Sequence, residues 1–200
     1  MKNLFNSLKN LVGRVYGSVF KLVYAISNWK AHYRALVLGS SVPSGDGSMT
    51  FAAELSAVVI RRDGKRQSHG VVSRRVVTTD GVNFMRDDFN GGTTDITNLN
   101  FHDSGTGVVA EAIGDTDLGT PAGPTTRATG TQSAPASGQY RTIGTISYTS
   151  TLAITEHGIF NQAARGGGSV LWDRSVFSAI NVVSGDSIQF TYTLTINSGG

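Results

Sequence analysis

The residues able to do chemistry in this chain are few and scattered. Four histidines, His32, His69, His102 and His157, show no metal-ligand spacing such as H-E-x-x-H. Two of them adjoin acids, as His102-Asp103 and Glu156-His157. Neighbouring side chains in a strand point to opposite faces, so neither pair is set up to work together in one site. Asp115-Thr116-Asp117-Leu118-Gly119 opens like a calcium loop, but Thr126 stands where the distal bidentate acid belongs, and an ordinary loop is expected. Hydroxyl nucleophiles are plentiful without a G-x-S-x-G elbow, and neither G-x-x-x-x-G-K-[ST] nor G-x-G-x-x-G occurs. With no cysteine, a thiol nucleophile, zinc finger or iron–sulfur site is excluded. No catalytic residue, metal ligand or cofactor site is expected.

One cluster of charge invites a binding role. Arg61, Arg62, Lys65, Arg66, Arg74 and Arg75 gather six cations around one hairpin. Such a cluster can touch phosphates, yet it lacks interleaved aromatics for base stacking. Basic residues on an exposed strand also block edge-to-edge pairing. A solvated edge or an acidic protein partner is favoured over nucleic acid.

The elements that position these residues follow from composition and periodicity. The chain has 200 residues, enough for one domain with a core or a small domain plus an appendage. Charged residues are 16% and glycines 12.5% (25 of 200), against roughly 25% and 7% in ordinary domains, which favours β-structure with tight turns. The net charge of +3 is unevenly divided. Lys2, Lys9, Arg14, Lys21, Lys30 and Arg34 precede the first acid, Asp46, so the first 45 residues carry +6. The remaining 155 carry −3, eleven basic against fourteen acidic residues.

That cationic end has its own period. Phe5, Leu8, Val12, Val15, Val19, Leu22, Ile26, Trp29 and Tyr33 recur at spacings of 3 and 4, the seam of a helix. A helix over residues 3–34 would be about 48 Å long at roughly 1.5 Å per residue, too long to hide inside one small domain. Arg14 and Lys21 interrupt the apolar stretch, which disfavours both a cleaved signal peptide and a membrane span. A homomeric coiled coil fits the spacing, but the acid-free sequence offers only like charges beside the seam. Leu4, Leu11, Tyr16 and Val23 widen the stripe, which suits a helix laid on a larger surface. An acidic protein surface or an anionic membrane interface would serve, and a helix packed on its own β-domain is the plain alternative. The reading taken is an anchor and oligomerisation helix over 1–38 that binds protein rather than membrane or nucleic acid, with Lys9, Arg14, Lys21 and Lys30 selecting an acidic neighbour.

Residues 39–50 read as a linker, and 51–200 as an antiparallel β-sandwich or jelly-roll-like domain. Residues 55–62, Asp63-Gly64 and the residues from Lys65 onward predict a hairpin with a two-residue loop, and 71–78 the next strand. Thr78-Thr79-Asp80 supplies a helix N-cap, with Val82, Met85 and Phe89 as the apolar face and Asn90-Gly91-Gly92 as the stop. Ile188, Phe190, Tyr192, Leu194 and Ile196 alternate with polar residues, the clearest strand in the chain. Weaker alternation marks 140–149, 152–160 and 170–177, with one further strand near 127–132 among long loops.

The segments VVTTDGVNFMRDDFNGGTTDITNLNFHDSGTG (76–107), AEAIGDTDLGT (110–120) and ISYTSTLAITEHGIFNQAARGGGSVLWDRSVFSAINVVSGDSIQFTYTLTI (146–196) resemble small structural proteins of tailed bacteriophages and prophages. The similarity covers roughly residues 75–197, and its most specific part is the closing LWDRSVFSAINVVSGDSIQFTYTL. The resemblance implies a β-sandwich virion component without enzymatic activity and brings no catalytic residues with it. The expectation is a capsid or neck accessory that assembles as an oligomer with other virion proteins, located in the virion and in the host cytoplasm during assembly. A tail or fibre module touching the host surface is the alternative.

Overall fold

A computed structural model describes residues 49–74, 77–92 and 95–198. The expected helix over 3–34, most of the linker, and Arg75 lie outside the described residues. The chain divides into two compact units, and the one spanning Phe51–Ile196 is a β body.

Nine strands and one short α-helix make up this body. In chain order they are β1 (Thr50–Ile60), β2 (Arg66–Ser73), α1 (Thr79–Phe89), β3 (Phe101–Gly105), β4 (Ala128–Thr129), β5 (Thr131–Ser133), β6 (Gln139–Ser147), β7 (Leu152–Phe160), β8 (Leu171–Val182) and β9 (Ser187–Asn197), with a 3₁₀ turn at Ile96–Asn98 before β3. They form a five-stranded sheet, ordered β2-β1-β9-β6-β5, and a four-stranded sheet, ordered β4-β3-β7-β8. The fold is mainly β, with two antiparallel sheets that share one core. The five-stranded sheet contributes Leu55, Val59, Ile188 and Phe190, and the other contributes Ile154, Ile159, Ile180 and Val182.

Period-2 patterning places β9 as expected. Ile188, Phe190, Tyr192 and Leu194 are buried, whereas the residues between them are half-buried because Arg66 and Arg141 reach across to Gln189 and Thr193. Strand β7 keeps its expected limits, and β8 runs on to Val182, five residues beyond the alternation.

Four details differ from the sequence reading. The β1–β2 hairpin closes through a three-residue loop, with Arg61 N bonded to Lys65 O and Gly64 N to Arg61 O. Only Gly64 of the Asp-Gly pair takes positive φ, +82°, which is the type I turn with a left-handed glycine rather than a two-residue loop. The return strand of the hairpin, expected from Lys65 onward, is β2 over Arg66–Ser73, but it takes in Val71–Ser73, so the separate strand expected over 71–78 is not formed and Val77 makes a single bridge to Asp173. Helix α1 is capped by Thr78, whose hydroxyl accepts from Gly81 N, but it turns Gly81 and Phe84 inward and leaves Val82 and Phe89 exposed. Gly81 lies so close to Trp172 that a Cβ would sit 2.8 Å from its backbone oxygen, and this approach fixes which face is inside. Strand β3, FHDSG, was not foreseen because its buried residues are polar and show no apolar alternation.

Strands β3, β7 and β8 are buried on both faces over much of their length. Their inner face meets the five-stranded sheet. Their outer face is covered by the connections 106–127 and 161–170, where Asp103, Arg127, Glu156 and Arg174 are buried.

Candidate functional site

Strand β3 pairs antiparallel with β7 so that Ser104 is opposite His157 and His102 opposite Ile159. Alternation then points His102 and His157 into the space between the sheets. His102 Nδ1 lies 3.0 Å from His157 Nε2, and His102 Nε2 lies 3.1 Å from Thr142 Oγ1 of β6, so the pair bridges the two sheets. Gly130 and Gly144 leave the room for it. A Cβ at Gly144 would stand 2.5 Å from His102 Cγ, and one at Gly130 would stand 2.7 Å from His102 Nε2. Burial pushes His102 down to about 3, and holds His157 well below its ordinary value with His102 adding to the effect. Both rings are neutral, and both are walled off from any dissolved substrate.

The acids beside them in sequence face the other way. Glu156 accepts hydrogen bonds from Gly107 N, Gly119 N and Thr120 N, and from Arg174 Nε and Nη2. Arg174 Nη1 also reaches Asp115, 2.8 Å away. Asp103 accepts from Arg127 Nε and from Arg165 Nε and Nη2. Arg127 in turn donates to the carbonyls of Gln162 and Ala164 and stacks on Phe160, 3.5 Å from the ring centre. These two clamps fasten the connections 106–127 and 161–170 onto the outer face of the four-stranded sheet. Sequence-adjacent His and acid therefore serve different faces, as alternation requires.

The Asp115–Gly119 segment belongs to the same fastening. Asp115 is held by Arg174 and by Ala112 N, and Asp117 accepts from Leu118 N. Among the described residues no group of three or more histidines and acids is placed to hold a metal ion. Elsewhere in the core, Asp173 accepts from Tyr192 Oη, which itself accepts from Trp172 Nε1. Burial raises Asp173 well above the usual carboxyl range.

The basic hairpin is engaged within the body. Arg61 Nη1 pairs with Asp186 at 2.8 Å, Arg74 Nη2 with Glu54 at 2.9 Å, and Lys65 Nζ with Asp63 at 2.9 Å. Arg66 donates to Gln189. Three of its cations are thus ion-paired within the chain, the Lys65 and Arg74 pairs at exposed positions, and Arg66 keeps its full charge.

The described residues also form a concave surface with no local signature in the sequence. Beyond the end of the four-stranded sheet, α1 and the Ile96–Asn98 turn take its place opposite β6, β9 and the start of β1. Between them lies a cleft of about 530 Å³ whose walls are mostly apolar: Phe51, Met85, Ile96, Leu99, Leu194 and Ile196, with Trp172 and Tyr140 further along. That size falls within the ~300–1,000 Å³ of binding pockets. Tyr140 Oη donates to Leu99 O at 2.6 Å and accepts from Gln132 Nε2, which also donates to Thr97 O, so one side of the cleft is tied shut by polar contacts. The cleft is assembled from residues at the ends of seven elements, which no local period reveals. The expected partner-binding residues Phe5, Leu8, Val12, Val15, Val19, Leu22, Ile26, Trp29 and Tyr33, with Lys9, Arg14, Lys21 and Lys30, lie outside the described residues. No protein-family model, curated protein or solved structure matches the chain.

Proposed function

We propose that this chain is a non-enzymatic structural component of a tailed-bacteriophage particle, an accessory or decoration subunit of the capsid or neck. Residues 1–38 hold it to neighbouring subunits, and a sandwich-like β body is presented outward. The observation that carries the reading is the division of charge and pattern along the chain. An acid-free segment of charge +6 with a nine-residue apolar seam precedes a body of charge −3. Burying nine such side chains at about 1.5–3 kcal/mol each is worth on the order of 10–25 kcal/mol before ordering costs. The resemblance of residues 76–107, 110–120 and 146–196 to phage structural proteins supports the same reading. So does the use of Asp103 and Glu156, the acids beside histidines, as loop fasteners.

Purified particles made by a host carrying the gene should contain the chain in fixed stoichiometry, and deletion of residues 1–36 should strip it from them. Retention of the shortened chain would refute the anchoring role. A second reading, a tail or fibre module, is favoured by one feature: Val108, Val109 and Ile113 are 72%, 75% and 67% exposed on one long connection. In that case the same deletion leaves binding to host cells intact, and Val108→Asp with Val109→Asp abolishes it.

A further inference from the structure

We propose that the apolar cleft receives the cationic amphipathic N-terminal segment, residues 5–33, of a second copy of this chain. The inference deepens the anchoring reading and rests on it, by naming the surface that the anchor grips.

Three observations converge on this occupant. The first is shape and polarity: the cleft is a groove of about 530 Å³ lined by aliphatic and aromatic side chains, with Phe51 and Ile196 each still 37% exposed. Grooves of this kind take the apolar face of a helix through residues at i, i+3 or i+4, and i+7. Val12, Val15, Val19 and Leu22 have that spacing. The second is charge. The stretch 79–98, whose helix and turn form one wall, holds Asp80, Asp87, Asp88 and Asp95 against Arg86 alone, a net −3. The segment 1–45 holds six cations and no acid. Opposite potentials of this kind choose the partner and set the docking direction.

The third is where the segment leaves the body. Phe51, the first residue of the β body, lines the cleft, and the residues before it in sequence, 39–48, read GSSVPSGDGS, rich in glycine and serine. Ten residues span at most about 33–36 Å, which sets how far from its own body the segment can reach. Groove and segment are different surfaces on one chain, so the contact is head-to-tail and repeats from copy to copy, closing into a ring or continuing along a lattice.

The test uses the full-length chain. A photoreactive residue replaces Val19 in unlabelled protein, which is assembled together with heavy-isotope-labelled protein, irradiated and digested. The proposal expects cross-links from position 19 of light chains to heavy peptides containing Met85 or Leu194–Ile196. Cross-links confined to the same chain, or reaching other parts of the body, overturn it. In parallel, Phe51→Asp with Ile196→Asp should weaken self-association in sedimentation by about tenfold or more, and Val19→Asp should do the same from the segment side. The segment variant leaves the body untouched, so it decides the matter if the cleft variant unfolds. Undiminished self-association in Val19→Asp refutes the docking. Loss of particle association on deletion of 1–36 but not in Phe51→Asp with Ile196→Asp removes the cleft as acceptor while leaving the anchor. Retention after the deletion removes the anchor itself.

Discussion

His102 and His157, fifty-five residues apart in the chain, meet with Nδ1 and Nε2 3.0 Å apart in the space between the two sheets. Ring contact continues the link, since His157 stacks on Phe190 of the opposite sheet with centroids 4.4 Å apart. Both rings belong to the four-stranded sheet, so the contact that ties the two sheets in alignment is His102 Nε2 to Thr142 Oγ1 of β6, and sliding the sheets breaks it.

Acid should weaken the fold through this pair. Both histidines titrate below their unfolded value near 6.5, so the stability they contribute is complete above that pH and is lost as pH falls through their folded values, about 3 for His102. Each contributes a slope of about 1.4 kcal/mol per pH unit. Asp173 works in the opposite sense, since a raised carboxyl contributes stability that is lost as pH rises through its folded value. The net expected slope is between about 1.4 and 2.7 kcal/mol per unit from pH 6.5 to 5, read from urea midpoints. His102→Gln should lower it by about 1.4 kcal/mol per unit. Equal stability at pH 7 and pH 5 would contradict this account of the pair.

Gly144 should tolerate no side chain. A Cβ there meets His102 Cγ and Cδ2 at 2.5 Å, so Gly144→Ala should cost about 1–3 kcal/mol in denaturant unfolding. Combined with His102→Ala, the two costs should fall short of their sum, because the second change removes the obstacle that the first created. Strict additivity would place the strain elsewhere.

The clamps and the surface pairs should differ sharply. Glu156→Gln leaves Arg174 buried without its full partner and should cost about 3–5 kcal/mol, with protease cleavage appearing between residues 107 and 120. Arg74→Ala removes an exposed pair with Glu54 and should change stability by no more than about 0.5 kcal/mol. Similar effects from both would show that the connections are held by something other than Glu156.

Thr78 ties α1 to β8 as well as capping it, since its hydroxyl donates to Leu171 O while accepting from Gly81 N. Thr78→Ala should lower the thermal midpoint by the equivalent of about 1–2 kcal/mol, and Thr78→Ser should restore most of it. An unchanged midpoint in the alanine variant would remove the cap from the account.

Much of the body was legible because one-sided burial writes period 2 into a strand. Strand β9 shows it over nine residues, and β7 is bounded correctly by its flanking polar turns. Strand β3 was hidden because His102, Asp103 and Ser104 are all buried, each satisfied by a partner far along the chain. The face of α1 was misjudged because a glycine, not a large apolar residue, marks its closest approach to the sheet. Alternation correctly separated His102 from Asp103, but finding His157 for His102 requires the register of β3 on β7, which sequence spacing does not carry. The same holds for the cleft, whose lining comes from seven separate elements.

A reconstruction of the particle by electron cryomicroscopy tests the central claim most directly. The account predicts repeated copies of the β body on the particle, each joined by density for residues 5–33 to the subunit beside it. Particles that lack the body, or that carry it through contacts made only by residues 51–198, would contradict it.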